Sequence, residues 1–327
     1  MAYLLLATGI ALLLSGGTLL VRGASGIATS FNVSPMMVGL SVVAFGTSTP
    51  ELVVNITGAL QGETDLAFGN AVGSNLANFG LVLGVAALMS PIYLQGQVVR
   101  REVPFLLLVT AILMVMAADA TLSGTAPLLD RGDAIILFLL FTVFVYFLIR
   151  DALSEKEDPI LREAEIFTGE ATPGPTAKAI SINVVWLVIG IAMLTYGGQL
   201  TIEQGAVIAQ LWAVPSVVIG IFVVAVGTSL PELVTSAIAA RKKETDLALG
   251  NIVGSNIFNS LVVLPAAGII QPLPVPKGGT IDLAFGFILV LALIPLFLFS
   301  GARIGRLGGV LLLGSYIAYM VYRFSLP

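Results

Sequence analysis

Two glutamates lie in apolar stretches of the chain, each inside a copy of the same polar motif. Glu51 follows Gly-Thr-Ser-Thr-Pro, and Glu232 follows Gly-Thr-Ser-Leu-Pro at an offset of 181 residues. A charged side chain at the centre of a membrane helix costs about 2.5–3.5 kcal/mol or more, so an ionisable group there indicates a functional site. Two glutamates at equivalent positions of a duplicated sequence indicate chemistry with cations inside a membrane.

The side chains around both glutamates offer oxygen atoms, and the chain contains no cysteine and no histidine. Thr47 and Ser48 precede Glu51 by four and three residues, which places them on the same face of a helix. A second polar stripe, with a spacing of four residues, follows in each copy: Asn70, Ser74 and Asn78, then Asn251, Ser255 and Asn259. Oxygen ligands suit hard cations, such as Ca²⁺ with about 6–8 oxygens at about 2.3–2.6 Å, and Na⁺ by the same argument.

The charge of the two motifs indicates which ions can share such a site. Two ionised glutamates contribute two negative charges, which a single Ca²⁺ neutralises. Sodium ions can replace the Ca²⁺ one by one at the same oxygens. Competition between two kinds of ion for one site is what an exchanger requires.

The composition is that of a membrane protein. Hydrophobic residues make up 57% and charged residues 10% of the chain, whereas soluble domains contain roughly 25% charged residues. Apolar runs long enough to cross a bilayer recur along the sequence, so we predict an all-α membrane protein with ten transmembrane helices. Their predicted bounds are about 3–21, 35–60, 66–89, 103–118, 134–149, 180–200, 215–240, 247–270, 281–299 and 307–324.

The distribution of basic residues predicts the orientation of these helices, because lysine and arginine are enriched in cytoplasmic loops. With both termini outside, twelve of the fifteen basic residues fall in inside loops, and only Arg131, Lys277 and Arg323 fall outside. The first positive charge, Arg22, comes after the first apolar stretch. We therefore interpret residues 3–21 as a retained helix rather than a signal peptide.

The chain divides into two related halves joined by a hydrophilic linker. Residues 39–83 align without a gap with residues 220–264, with 26 identities in 45 positions. The halves, 1–150 and 180–327, each contain five predicted crossings, and residues 151–179 form a cytoplasmic linker. Because five is odd, the second half is inverted relative to the first. Inverted repeats are typical of secondary transporters, whose substrate site lies near the midplane where the repeats meet.

A proline lies within each of the long second and seventh segments. Pro50 and Pro231 lack the backbone N–H of a helix interior, and each ring displaces the carbonyl four residues before it. We therefore predict that helices two and seven are broken. Free carbonyls at membrane depth persist only where they line a cavity or meet a partner, so the breaks add backbone oxygens to the predicted site.

The paired Gly-Thr-Ser-x-Pro-Glu and Gly-Asn-x-x-Gly-Ser-Asn motifs resemble the α-repeats of the sodium/calcium exchanger family, within the calcium/cation antiporter superfamily. The repeats cover segments two, three, seven and eight, and the length and hydropathy are similar to those of the compact prokaryotic members. The resemblance implies a multi-pass antiporter of a prokaryotic cell (inner) membrane that exchanges Ca²⁺ for Na⁺ by alternating access. The implied ion ligands are the carbonyls of Ala44 and Ala225 and the side chains of Thr47, Ser48, Glu51, Ser74, Asn78, Thr228, Ser229, Glu232, Ser255 and Asn259.

One position departs from part of the family. Some prokaryotic and potassium-dependent members have an aspartate where this chain has Asn259. The site of this chain therefore has one potential negative charge fewer than theirs. The departure argues against co-transport of potassium.

Three other functions can be set beside sodium/calcium exchange. A Ca²⁺/H⁺ antiporter would use protons on Glu51 and Glu232 in place of sodium. A passive cation channel is disfavoured, because paired broken helices in inverted repeats are typical of alternating access. An intramembrane enzyme is disfavoured because the sequence has no HExxH motif and no phosphate-binding loop. We predict no cofactor and no nucleic-acid partner; the lipid bilayer and the transported ions are the expected partners, and a monomer is sufficient.

Overall fold

The structure, a computed structural model, describes residues 1–93, 98–119, 124–155, 176–212, 227–299 and 303–325. Most of these residues are helical. Numbered along the chain, the helices are α1 (Ala2–Phe31), α2 (Pro35–Thr47), α3 (Thr49–Gln61), α4 (Thr64–Met89), α5 (Val103–Met116), α6 (Arg131–Glu155), α7 (Ala177–Leu211), α8 (Leu230–Arg241), α9 (Thr245–Ile270), α10 (Gly279–Phe299) and α11 (Arg306–Ser325).

Five of the described helices, α1, α4, α6, α7 and α9, are long and apolar enough to cross a membrane, and a sixth span results if α2 and α3 count together. The chain is therefore a multi-pass membrane protein. Two helices continue about ten residues past their predicted ends: α1 continues to Phe31, where Asn32 adopts a left-handed conformation, and α7 has 35 residues and ends at Leu211. At 1.5 Å per residue, α7 is about 52 Å long, against a hydrocarbon core of about 30 Å. The prediction of ten crossings stays a prediction.

Short strands, which the sequence did not predict, connect the ends of the helices. The strand β1 (Ile92–Tyr93) pairs with β4 (Arg303–Ile304), and β2 (Leu128–Leu129) pairs with β3 (Leu273–Pro274), both antiparallel. β1 and β3 occupy equivalent positions of the two repeats at the offset of 181 residues. Each strand has two residues, too few for a periodic signal in the sequence.

The helices α2 and α3 meet at Ser48 with a bend of 43°. Ser48 has φ −86° and ψ 8°, and the equivalent Ser229, before α8, has φ −84° and ψ 5°. Pro50 and Pro231 lie in the first turns of α3 and α8, where a missing N–H leaves no helical hydrogen bond unmade. The same local sequence therefore produces the same backbone at the start of both helices.

π-turns interrupt three of the described helices, α2, α4 and α9. They span Gly39–Val43 in α2, Asn78–Val82 in α4 and Asn259–Val263 in α9. A π-turn inserts one extra residue into a helix and occurs frequently at functional sites. Asn78 and Asn259 each begin one of these turns, at equivalent positions of the two repeats.

Helix α9 occupies the centre of the molecule, and 83% of an apolar stretch of 18 residues within it is buried. Helix α3 packs on α4 and on the C-terminal part of α9, and α8 packs on α9 and on the C-terminal part of α4. Helix α2 also packs closely on α9: a side-chain carbon on Gly254 would lie 2.6 Å from the carbonyl oxygen of Leu40. The four helices of the duplicated motifs thus pack against one another around a common centre.

Helices α1 and α7 pack together along their length. A side-chain carbon on Gly16 would lie 2.9 Å from the backbone nitrogen of Leu194, and one on Gly197 would lie 2.9 Å from the carbonyl oxygen of Gly9. Glycine is therefore required at these positions for the two backbones to approach. The pair contacts the central helices through α8, where Ile238 lies against Gly17, and through α2, where Ile191 lies against Gly46.

Candidate functional site

The two glutamates lie in the centre of the molecule, and both side chains are 0% exposed. Glu51 is in the first turn of α3, and Glu232 is in the first turn of α8. The N-terminal end of a helix carries a partial positive charge that favours a carboxylate. Both helices therefore start in the interior, each with its glutamate in the first turn.

Hydroxyl groups connect the glutamates to other elements of the site. Ser48 Oγ donates to Glu232 Oε1 over 2.9 Å, and Ser255 Oγ donates to the same oxygen over 3.5 Å. Ser74 Oγ donates to Glu51 Oε1 over 3.4 Å. Among the described residues no lysine or arginine forms an ion pair with either glutamate.

The threonines contact the opposite repeat. Thr47 Oγ1 lies 3.0 Å from Asn251 Oδ1, and Thr228 Oγ1 lies 3.2 Å from both Asn70 Oδ1 and Ser74 Oγ. Thr47 therefore connects α2 to α9, and Thr228 connects the residues before α8 to α4. These contacts bring the two copies of the motif into one site.

Several buried polar atoms at the centre have no hydrogen-bond partner within the described part of the chain. They are Glu51 Oε2, Glu232 Oε2, Ser229 Oγ, and both amide atoms of Asn78 and Asn259. A buried polar group without a partner costs about 1–3 kcal/mol, and more if it is charged. Buried charges are usually paired or bound to metal ions, so these oxygens fit a bound cation.

Eleven of the twelve predicted ligand residues lie in the described part of the chain, and Ala225 lies outside it. Direct hydrogen bonds connect seven of the eleven by their side chains: Thr47, Ser48, Glu51, Ser74, Thr228, Glu232 and Ser255. The carbonyl of Ala44 accepts from the backbone nitrogen of Ser48 at 3.0 Å and lies 3.3 Å from Thr47 Oγ1. Ser229, Asn78 and Asn259 are fully or almost fully buried and form no side-chain hydrogen bond with described residues.

The ligand prediction omitted four buried residues that orient the site. Asn70 and Asn251 accept from the threonines, and their own amide nitrogens donate to Asn55 Oδ1 at 2.7 Å and Ser236 Oγ at 3.0 Å. Asn55 and Ser236 each follow a glutamate by four residues, which is the same helix face. This spacing in the sequence could have identified both residues as part of the site, although one is an asparagine and the other a serine.

Long apolar helices around a buried centre lined with oxygen atoms define the class of helical membrane transporters. The chain belongs to the sodium/calcium exchanger protein family, whose model matches residues 1–150 and 182–325. The family resemblance inferred from the motifs is thereby confirmed.

Individual relatives match over the whole chain. The putative antiporter CaxA of Alkalimonas amylolytica is 40% identical over 328 residues, and the alignment covers 97% of both chains. The sodium/calcium exchanger MaX1 of Methanosarcina acetivorans is 32% identical over 348 residues, with 98% of both chains covered. The structure of the sodium-calcium exchanger NCX_Mj soaked with 10 mM Na⁺ and zero Ca²⁺ is similar, with a TM-score of 0.84, 28% identity and 98% of both chains covered.

Proposed function

We propose that the protein is a secondary active antiporter that exchanges Ca²⁺ for Na⁺ at one site shared by its two repeats. The observation that supports this most directly is the pair of buried glutamates whose Oε2 atoms have no hydrogen-bond partner among the described residues. No basic side chain of the described chain neutralises them, so a cation is required for both to be charged. The family and the exchanger MaX1 support calcium and sodium as the substrates.

The proposed ligands come from both repeats in equal number. In the first repeat they are the Ala44 carbonyl, Thr47, Ser48, Glu51, Ser74 and Asn78; in the second they are the Ala225 carbonyl, Thr228, Ser229, Glu232, Ser255 and Asn259. A dehydrated Ca²⁺ needs about 6–8 oxygens, and this set is large enough to supply them. It also leaves oxygens for Na⁺ ions that enter as Ca²⁺ leaves.

The exchange follows from the charge of the site. One Ca²⁺ balances Glu51 and Glu232, and Na⁺ ions restore the same balance when they replace it. An empty site would leave two carboxylates close together in the interior, which raises the free energy of the ion-free protein. The protein therefore changes between its inward-facing and outward-facing states with ions bound, and this couples the two fluxes.

The proposed architecture has ten crossings in two inverted repeats, 1–150 and 180–327, with the cytoplasmic linker 151–179 between them. Helices α2 and α3 form the broken second crossing, and α8 ends the seventh. The matched backbone at Ser48 and Ser229 and the matched π-turns at Asn78 and Asn259 support the repeat. The excess of basic residues in predicted inside loops supports external termini. The similarity to the inner membrane protein YrbG of Escherichia coli supports a location in the prokaryotic inner membrane.

The packed pair α1 and α7 is the element that we propose to move. In the family, the corresponding helices slide against the core and open the site to one side at a time. Glycines that face the partner helix keep α1 and α7 together, so they move as a unit. Their contact with α8 then changes as the pair slides.

Proton-driven calcium transport is the second candidate, favoured by the same two carboxylates. Each unpartnered Oε2 atom can carry a proton in place of a cation. A passive channel agrees less well with the structure, because a channel needs an open path past its ion-binding groups and both glutamates are 0% exposed. Alternating access needs no such continuous path.

Equilibrium binding of ⁴⁵Ca²⁺ to the purified protein tests the shared site. We expect Na⁺ to displace Ca²⁺ at constant ionic strength and choline to leave it bound.

Calcium uptake driven by an imposed proton gradient without sodium would instead support the proton-coupled alternative. Binding of Ca²⁺ that Na⁺ does not displace would refute a site at which the two ions compete.

A further inference from the structure

Two buried asparagines outside the proposed ligand set connect each repeat to a threonine of the other. Thr47 Oγ1 donates to Asn251 Oδ1 at 3.0 Å, and Thr228 Oγ1 donates to Asn70 Oδ1 at 3.2 Å. Asn70 is 1% exposed and Asn251 is 0% exposed. The two bonds are equivalent under the offset of 181 residues, so the same contact occurs twice.

Each asparagine is oriented by a further buried polar group. Asn251 Nδ2 donates to Ser236 Oγ at 3.0 Å, and Asn70 Nδ2 donates to Asn55 Oδ1 at 2.7 Å. A side-chain amide has a donor side and an acceptor side. The bond on the donor side therefore turns the acceptor oxygen, Oδ1, towards the threonine.

A threonine hydroxyl has a single proton, and four possible acceptors surround that of Thr47. They are Val43 O at 3.1 Å, Ala44 O at 3.3 Å, Asn251 Oδ1 at 3.0 Å and the more distant Ser255 Oγ at 3.5 Å. Donation to a carbonyl of its own helix is the ordinary arrangement, and donation to Ala44 O would cover a proposed ligand. Donation to Asn251 leaves the lone pairs of Thr47 free for a cation, together with the lone pair of the Ala44 carbonyl that does not accept from the backbone nitrogen of Ser48.

We propose that Asn70 and Asn251 are positioning residues that accept the hydroxyl protons of Thr228 and Thr47, so that the threonine lone pairs face the bound cation. The inference rests on the proposed function, because it requires the threonines to be ion ligands. Each asparagine acts on the threonine of the opposite repeat. Ion binding is thus coupled to the contact between the repeats and not only to groups within one of them.

A double-mutant cycle measured by equilibrium ⁴⁵Ca²⁺ binding to the purified full-length protein tests this role. Loss of one hydrogen bond predicts that Asn251→Ala weakens Ca²⁺ binding by roughly 3- to 10-fold. The same substitution should have little further effect in a Thr47→Val background, because the hydroxyl it positions is already gone. In a Thr228→Val background it should retain most of its effect. An equal loss in both backgrounds would overturn the proposal.

Asn256→Ala is the matched control, since Asn256 is another buried asparagine of α9. Its Nδ2 donates to Ile252 O at 2.7 Å, and it lines a cavity with Leu106 and Val290 rather than contacting Thr47. We expect Ca²⁺ binding equal to that of the unmodified protein. A loss as large as that of Asn251→Ala would show that removal of any buried amide from α9 suffices, and would contradict a positioning role.

Ser236→Ala provides a milder variant if Asn251→Ala does not fold. It leaves the acceptor in place and removes only the group that orients it, so we expect weaker Ca²⁺ binding that depends on Thr47 in the same way. Unchanged binding in Ser236→Ala would count against the proposal. Absence of Ca²⁺ binding to the unmodified protein would refute the proposed function itself. Normal Ca²⁺ binding to the unmodified protein, with additive effects of Asn251→Ala and Thr47→Val, would refute only the role of the asparagines.

Discussion

Ser48 of the first repeat donates a hydrogen bond of 2.9 Å to Glu232 of the second repeat. The equivalent Ser229 has the same backbone conformation, but its hydroxyl has no partner among the residues that the structure describes. The two halves therefore share a backbone conformation at this serine and differ in its side-chain hydrogen bonding. A single hydroxyl connects the start of α3 to the glutamate of α8.

This difference predicts unequal effects of removing the two hydroxyls. A hydrogen bond to a charged group contributes about 1.5–3 kcal/mol. Ser48→Ala should therefore lower the free energy of unfolding of the ion-free protein by roughly that amount, and Ser229→Ala by clearly less. Thermal unfolding in detergent with choline as the only cation measures both. Equal destabilisation by the two substitutions would contradict the asymmetry.

Glu51→Gln and Glu232→Gln should each abolish exchange, because each removes half of the charge that balances Ca²⁺. Sodium-driven ⁴⁵Ca²⁺ flux into proteoliposomes is the measurement. Glu63→Gln is the matched control, since Glu63 belongs to the same repeat and is exposed just before α4. Near-normal flux in either of the first two variants would rule out the central site, and flux should be normal in the third.

Exchange should not require potassium, because Asn259 lacks the charge of the aspartate in potassium-dependent relatives. Replacement of K⁺ by choline on both sides of the membrane should leave the rate of calcium flux unchanged. Dependence on K⁺ would show this interpretation to be wrong. Asn259→Asp is the informative companion: it adds a third carboxylate to the site, so the ratio of Ca²⁺ to Na⁺ affinity should change without unfolding of the protein.

The inverted repeat predicts that equivalent loops lie on opposite sides of the membrane. Gln61 and Lys242 are equivalent positions, and both are exposed. Single cysteines are informative here, because the chain has none of its own. A membrane-impermeant thiol reagent should label Gln61→Cys from outside intact cells and Lys242→Cys only from inside. Labelling of both from the same side would exclude the inverted arrangement.

Apolar runs and prolines located most of the helices in the described chain. Helix α3 begins at Thr49, directly before Pro50, and the sequence predicted an interruption at that proline. The π-turns at Asn78 and Asn259 were not predicted, because the residues within them differ between the repeats while the backbone is the same. A one-residue insertion in a helical turn has no periodic signature in a short segment.

The sequence indicated which polar side chains share a helix face, whereas the hydrogen bonds between the two repeats were not predictable. Spacings of three and four residues show which side chains share one face of a helix, and they placed Ser48 beside Glu51. In the structure, Ser48 donates to Glu232, which is 184 residues away. That contact depends on how the N-terminal ends of α3 and α8 are placed beside each other in the folded protein. Sequence spacing placed Asn55 and Ser236 on the glutamate face of their helices, but their bonds to Asn70 and Asn251 emerged only from the structure.

Calcium uptake into proteoliposomes tests the central claim most directly. Vesicles that contain the purified protein are loaded with Na⁺ and diluted into a Na⁺-free solution with ⁴⁵Ca²⁺, and vesicles loaded with choline or K⁺ serve as controls. Exchange predicts accumulation of ⁴⁵Ca²⁺ in the Na⁺-loaded vesicles and no accumulation in either control, with loss of the signal in Glu232→Gln. Equal uptake with Na⁺, K⁺ and choline inside would contradict sodium/calcium exchange.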